Sequence, residues 1–259
     1  MDDHIVALLT DFGQRDSYVA TMKGVMLGID SQAKFVDISH EIKLGDVQAA
    51  AYVLSTCIEW FPEGTVFLAV VDPGVGSSRK AVAIRTEKHF FVGPDNGIFT
   101  LALRREKLVS AVEIDCTAIP TKAISNTFHG RDIFAPAAAY LSQGRCFEAL
   151  GSKISSLVQL DIKPNRLQGK LLYGSILYID NFGNIITSIH EEESNGLATT
   201  LYVGKRAFRL GSTYSDVALG QPIAYWGSSG YCEAALHGSS ASELLQAKVG
   251  DEVVLQLKS

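Results

Sequence analysis

At 259 residues and a formal charge of −5, the chain carries no basic footprint, which argues against a nucleic-acid partner. Its 47% hydrophobic and 20% charged residues describe a folded core and exclude a disordered chain. No run reaches the ~20 apolar residues of a membrane span, and the opening MDDHIVALLTDF has no signal-peptide pattern, so a cytoplasmic protein with no membrane partner is expected.

In chain order, HIVALLTDF (4–12) is β-branched and apolar and ends on Thr10 and Asp11, the pattern of a buried strand. DSYVATMKGVMLGI (16–29) has helical spacing, with Asp16 or Ser17 as N-cap. KFVDIS (34–39) is a second strand, and the alanine-rich DVQAAAYVLSTCIEWF (46–61) is a helix capped by Asp46. TVFLAVV (65–71) is continuously apolar, as a strand covered on both faces must be. Strand, helix, strand, helix, strand predicts a mostly parallel central sheet with right-handed crossovers. KAVAIRT (80–86) and HFFVG (89–93) follow as a hairpin, and FHGRDIFAPAAAYLSQG (128–144) as a loop leading into a helix that stops at Gly144.

Composition changes near residue 157. LVQLDIKPNRLQG reads as a linker, giving an α/β domain over 1–157, a linker over 158–169 and a domain over 170–259. The last is built of short alternating runs between Gly, Ser and Asn, an all-β, barrel-like pattern. Cys57, Cys116, Cys146 and Cys232 lie far apart without zinc-like spacing, so reduced, buried thiols and no metal site are expected.

Ligands of a parallel α/β sheet sit at the carboxyl ends of its strands. Asp11, Asp37 and Asp72 fall near such ends, although an acid there also serves as a cap or turn former. Asp11 and Asp72 stand out because each closes an apolar strand and is followed by glycine: Gly13 in one case, Gly74 and Gly76 in the other. In VVDPGVGSSRK (70–80) the turn carries the chain from Asp72 to Arg79. GPDNG (93–97) is a second turn, read as structural. FHGRD (128–132) places His129 at a loop–helix junction, where an imidazole serves as acid, base or structural donor. YIDNFGNIITS (178–188) sets Asp180, Phe182 and Asn184 around a glycine, a set able to hold a purine and an amine, or a β-turn with a core phenylalanine. YWGSSGY (225–231) is a hydroxyl-rich loop whose N–H groups suit a carboxylate.

Taken together, LLTDFGQRDSYVATMKGVM, FVDISH, VVDPGVGSSRK, VGPDNGIFT, FHGRDIFAPAAAYL, IDNFGN and GSSGYCEAALHGSSASELL follow the order and spacing of one family. The chain resembles, over nearly its whole length, the S-adenosyl-L-methionine (SAM) hydrolases, or SAM hydroxide adenosyltransferases, relatives of the fluorinase and chlorinase. That resemblance implies hydrolysis of SAM to adenosine and L-methionine, with SAM as substrate and neither metal nor cofactor. It also implies a homotrimer whose sites lie between one subunit's N-terminal domain and its neighbour's C-terminal domain. By position it assigns Asp72, Arg79 and His129 to a water facing the ribose C5′, and Asp11 to the ribose hydroxyls. Phe182 and Asn184 are assigned to adenine, Asp180 to the methionine amine and Ser228 to its carboxylate. Asp180 stands one residue nearer to FGN than in the halogenases, and His237 replaces a common asparagine. Two alternatives to the hydrolase remain open at this point: a SAM-dependent halogenase, and a slow or inactive nucleoside-binding protein.

Overall fold

A computed structural model describes residues 4–121 and 123–258, so the outer bounds 1 and 259 of the two expected domains lie outside the described residues. The chain divides into two compact units, Met1–Leu160 and Asp161–Ser259.

The first unit contains β1 (Ile5–Thr10), α1 (Tyr18–Ile29), β2 (Lys34–Ser39), α2 (Val47–Cys57) and β3 (Val66–Val70). After them come β4 (Ala81–Thr86), β5 (Phe90–Pro94), α3 (Ala102–Arg105), β6 (Leu108–Ile114), α4 (Ala135–Ser142) and β7 (Gly151–Lys153). The sheet order is β2-β1-β3-β5-β4-β6-β7. β2, β1, β3 and β5 run parallel, while β4 opposes β5 in the expected hairpin and β6 and β7 extend the antiparallel edge. Every residue of β3 is buried, the consequence of its unbroken apolar run. Val6, Leu8, Val66, Leu68, Val70 and Val92 pack against Met22 and Met26 of α1 and the alanines of α4. Those alanines let α4 lie close to the sheet, and their burial is the main source of its stability.

Caps follow the sequence in part. Asp46 accepts a hydrogen bond from Ala49 N–H at 2.9 Å, as predicted. Ser17 occupies the N-cap of α1 without a side-chain cap bond. The expected loop before α4 is already helical: Gly130–Phe134 forms one π-helical turn, a widening of the helix that recurs at functional positions.

The second unit contains β8 (Arg166–Gln168), β9 (Leu171–Ile179), β10 (Ile185–His190), α5 (Glu191–Ser194), β11 (Ala198–Val203) and β12 (Arg206–Arg209). It continues with β13 (Pro222–Trp226), β14 (Tyr231–Leu236), α6 (Ala241–Leu245) and β15 (Glu252–Leu257). The antiparallel order β12-β11-β15-β9-β10-β14-β13 is nearly closed into a barrel by the Leu210–Ala224 bridge. Phe208, Ile185, Leu201 and Leu255 fill its interior. In the stretch read as a linker, Val158 N–H donates to Asp95, Leu160 N–H donates to Thr100 Oγ1, and β8 pairs with β9.

All four cysteines are free. The expectation that they are buried holds for Cys232, whose thiol burial pushes up to about 12, but Cys146 is exposed.

Candidate active site

The stretch between Asp72 and Arg79 is two consecutive turns. Val75 N–H donates to Asp72 O, Ser77 N–H to Gly74 O, and the Ser77 hydroxyl accepts Arg79 N–H at 3.2 Å. This folding returns Arg79 to the acid it left. Arg79 Nε donates to both Asp72 oxygens, at 2.9 and 3.0 Å, and Nη2 donates to Oδ2. Gly76 has φ +77°, and a Cβ there would stand 2.6 Å from the Asn126 carbonyl oxygen, so the turn needs glycine for both its φ and the close approach. The GPDNG turn supports the same acid at one remove, since Asn96 Nδ2 donates to Val71 O at 2.8 Å.

Arg79 Nη2 also lies 2.7 Å from His129 Nδ1. A guanidinium has only donors, so Nδ1 accepts and the imidazole proton resides on Nε2. Burial, reinforced by the neighbouring Arg79 charge, holds the His129 pKa below its ordinary value. The imidazole is therefore neutral at neutral pH and offers the cavity a donor. Phe134, fully buried on the π turn, presents its ring 5.0 Å from the Arg79 guanidinium carbon and fixes it from the other side. Asp132 anchors the approach to His129 by accepting from Ser125 N–H and from Arg131. Burial alone would raise its pKa, but these hydrogen bonds prevail and lower it.

Asp11, Asp72 and His129 line one cavity of about 420 Å³, together with Phe12, Tyr18 and Phe128. That is an ordinary size for a small-molecule site. Gly45 N–H donates to Asp11 Oδ2 at 2.9 Å. The three rings touch edge to face or tilted, with centroids 5.2–5.9 Å apart, and form an apolar wall. Sequence reading did not select this wall or Phe134, because aromatic residues at core-like spacing carry no mark of which cavity they face.

In the second unit, Asp180 Oδ1 accepts from Phe182 N–H and Asn184 N–H, while Oδ2 accepts from Asn184 Nδ2 at 2.8 Å. The acid thus braces the turn carrying the other two residues. Phe182 is 77% exposed, which corrects the alternative of a core phenylalanine. Asn184 is buried and continues through Tyr214 OH at 3.2 Å to the Tyr225 hydroxyl. Ser228 is exposed on the β13–β14 turn. His237 Nδ1 donates to Val217 O at 2.9 Å. Sequence reading missed Glu233, which sits directly across the ladder from Tyr225 and against Gly227. Burial raises its pKa, with a further contribution from the charge of Asp180. Among the described residues no group of three or more His, Cys, Asp or Glu side chains is placed to hold a metal ion.

An α/β unit with an acid–arginine–histidine cluster at its strand ends, together with an antiparallel barrel, defines a class of two-part proteins. The profile of the SAM hydroxide adenosyltransferase N-terminal domain matches residues 6–151, and that of the C-terminal domain matches residues 174–254. The chain belongs to the SAM hydroxide adenosyltransferase family. It is 38% identical to the (R)-S-adenosyl-L-methionine hydrolase of Thermus thermophilus, over 96% of this chain and 98% of that protein. A fluorinase of an Actinoplanes species is 28% identical over 95% of each chain. The crystal structure of an uncharacterized conserved protein from Thermotoga maritima superposes with a TM-score of 0.90 at 34% identity, covering 96% of this chain and 99% of the other.

Proposed function

We propose that the protein is an enzyme that hydrolyses SAM to adenosine and L-methionine. The observation that carries this reading is Arg79 bonded at once to Asp72 and His129 beside a cavity of substrate size. The oxygen of one water attacks the ribose C5′ and the C5′–S bond breaks, its electron pair going to sulfur. A sulfonium leaves as a neutral thioether, so no acid is needed at the leaving group. The task left to the protein is to hold the water in line, and positioning of that kind supplies up to ~7–11 kcal/mol.

The hydrogen bonds support a division of roles. His129 Nδ1 is occupied by Arg79, so its Nε2–H donates to the water oxygen and orients it. The Asp72 carboxylate faces the cavity and retains lone pairs, so it takes the water proton as the C–O bond forms, then releases it to solvent. Arg79 keeps both groups in place and balances the carboxylate. A carboxylate at this position repels a halide and attracts the hydrogens of water, which favours hydrolysis over the halogenase reading.

Asp11 holds the ribose hydroxyls, Phe182 and Asn184 contact adenine, Asp180 the amine and Ser228 the carboxylate of methionine. These last four act from a neighbouring subunit of a homotrimer, a state that light scattering reads directly. No metal or cofactor takes part. Among the described residues no helix is long and apolar enough to cross a membrane. The compartment proposed is the cytoplasm.

Incubation with SAM, with and without excess chloride or fluoride, should yield adenosine and methionine and no 5′-halo-5′-deoxyadenosine by mass spectrometry. Intact SAM, or adenosine carried through purification without turnover of fresh SAM, overturns the reading in favour of a binding protein. The pH profile provides a second check. Protonating His129 removes the acceptor for Arg79 and adds a like charge, so the neutral imidazole is the working form. Because its folded pKa is depressed, activity is full above the ordinary value of 6.5 and falls only as pH drops through a lower one. An acid limb of kcat centred above that value contradicts a neutral His129 held below its ordinary pKa.

A further inference from the structure

Asp37, one of the three acids at the strand ends, is not used by the chemistry above. It ends a hydrogen-bonded chain that leads to Asp11. Lys23 Nζ of α1 donates to Asp37 Oδ2 at 2.7 Å, and Asp37 Oδ1 lies 3.0 Å from His40 Nε2. His40 Nδ1 lies 2.8 Å from Thr10 Oγ1, and Thr10 Oγ1 accepts Phe12 N–H at 3.2 Å. An ionised carboxylate only accepts, so His40 Nε2 carries the proton of that bond, while Nδ1 on the other side of the ring hydrogen-bonds the Thr10 hydroxyl. The β1–β2 register slips here, with Leu8 opposite Asp37 but Leu9 opposite Ser39, and such a bulge re-aims the residues that follow it.

Hydroxyl, imidazole and carboxylate stand in the order of a nucleophilic triad. Thr10 is 0% exposed and His40 2%, so no substrate reaches the hydroxyl. What the chain does is hold backbone. It grips the residue before Asp11 through the Thr10 side chain and the residue after it through Phe12 N–H. The His40 carbonyl accepts Gly13 N–H at 2.7 Å, closing the same turn. Asp11 itself opens on the cavity.

We propose that His40 is a positioning residue that, through Thr10, sets the Asp11 carboxylate for a vicinal ribose diol and so determines selectivity for ribose over deoxyribose. This inference rests on the SAM hydrolase reading. The test compares kcat/KM for SAM and for its 2′-deoxyribose analogue in the wild type, Asp11→Asn, His40→Ala and Thr10→Val. Thr10→Val removes the hydroxyl at nearly constant volume and stands in if His40→Ala does not fold.

The wild type should prefer SAM. His40→Ala and Thr10→Val should lower kcat/KM for SAM about tenfold or more, within the ~10²-fold that a misplacement near 1 Å can cost. They should leave the analogue nearly unchanged, so that the preference collapses as in Asp11→Asn. A purely structural role lowers both substrates by one factor and preserves the preference, and that result overturns the inference while leaving the hydrolase reading intact. A wild type that does not distinguish the two substrates also overturns it. No turnover of either substrate by the wild type defeats the hydrolase reading and this inference with it.

Discussion

Asp72→Asn is expected to lower kcat for SAM hydrolysis by roughly 10²–10⁴-fold, the range for a positioned proton acceptor, while KM changes little. The amide keeps the volume and one acceptor for Arg79 but cannot take a proton from water. Asp72→Ala should be as inactive and also less stable. The pair is buried, with side-chain exposures of 10% for Arg79 and 6% for Asp72, and stranding one partner of such a pair costs about 3–5 kcal/mol. Comparing thermal unfolding and kcat in the two variants separates these effects. Arg79→Lys should not rescue Arg79→Ala. Arg79 reaches Asp72 with Nε and Nη2 and His129 with Nη2, a fork that a single ammonium cannot span. An Asp72→Asn enzyme with wild-type kcat would remove the carboxylate from the chemistry.

Gly76→Ala is expected to leave a folded protein with kcat reduced by about 10²-fold. A positive φ costs a non-glycine residue roughly 1–2 kcal/mol, and here the added carbon also meets the Asn126 carbonyl oxygen at 2.6 Å. Relief requires moving either the turn that holds Arg79 or the segment that leads to His129. Either shift separates two groups now 2.7 Å apart. Gly64→Ala is the control. Its φ is +86° but nothing lies within 4 Å, and it precedes β3 at the end remote from Asp72. It should lose a little stability and keep kcat. Equal kcat for both alanine variants would show that the close approach at Gly76 is catalytically irrelevant.

The legible parts of this protein are those where local chemistry and final environment agree. TVFLAVV could only be a covered strand, and DVQAAAYVLSTC a capped helix, because hydrophobic period and cap point the same way. Asp72, Arg79 and His129 were legible as candidates through the glycine turn and the loop–helix junction that carry them, and the structure brings their side chains together. Less legible were β6 and β7, an antiparallel edge in which Val112 pairs with Lys153 and Glu113 with Ser152, without a clear apolar alternation. Phe182 was ambiguous because a phenylalanine beside glycine suits a core or a surface equally. The wall of Phe12, Tyr18 and Phe128 left no trace, since its members come from three separate segments.

By itself the sequence determined most of the elements and the two-part architecture and marked out the candidate site residues, because these follow from side-chain period, turn chemistry and residue type within short windows. Tertiary structure alone decided that Arg79 bonds both Asp72 and His129, which makes His129 Nδ1 the acceptor and leaves its proton on Nε2. It also decided that His40 bonds Thr10, the residue before Asp11, and that Glu233 faces Tyr225. Each of these depends on distances between residues far apart in the chain, set by strand register and by a bulge, and no local pattern encodes them.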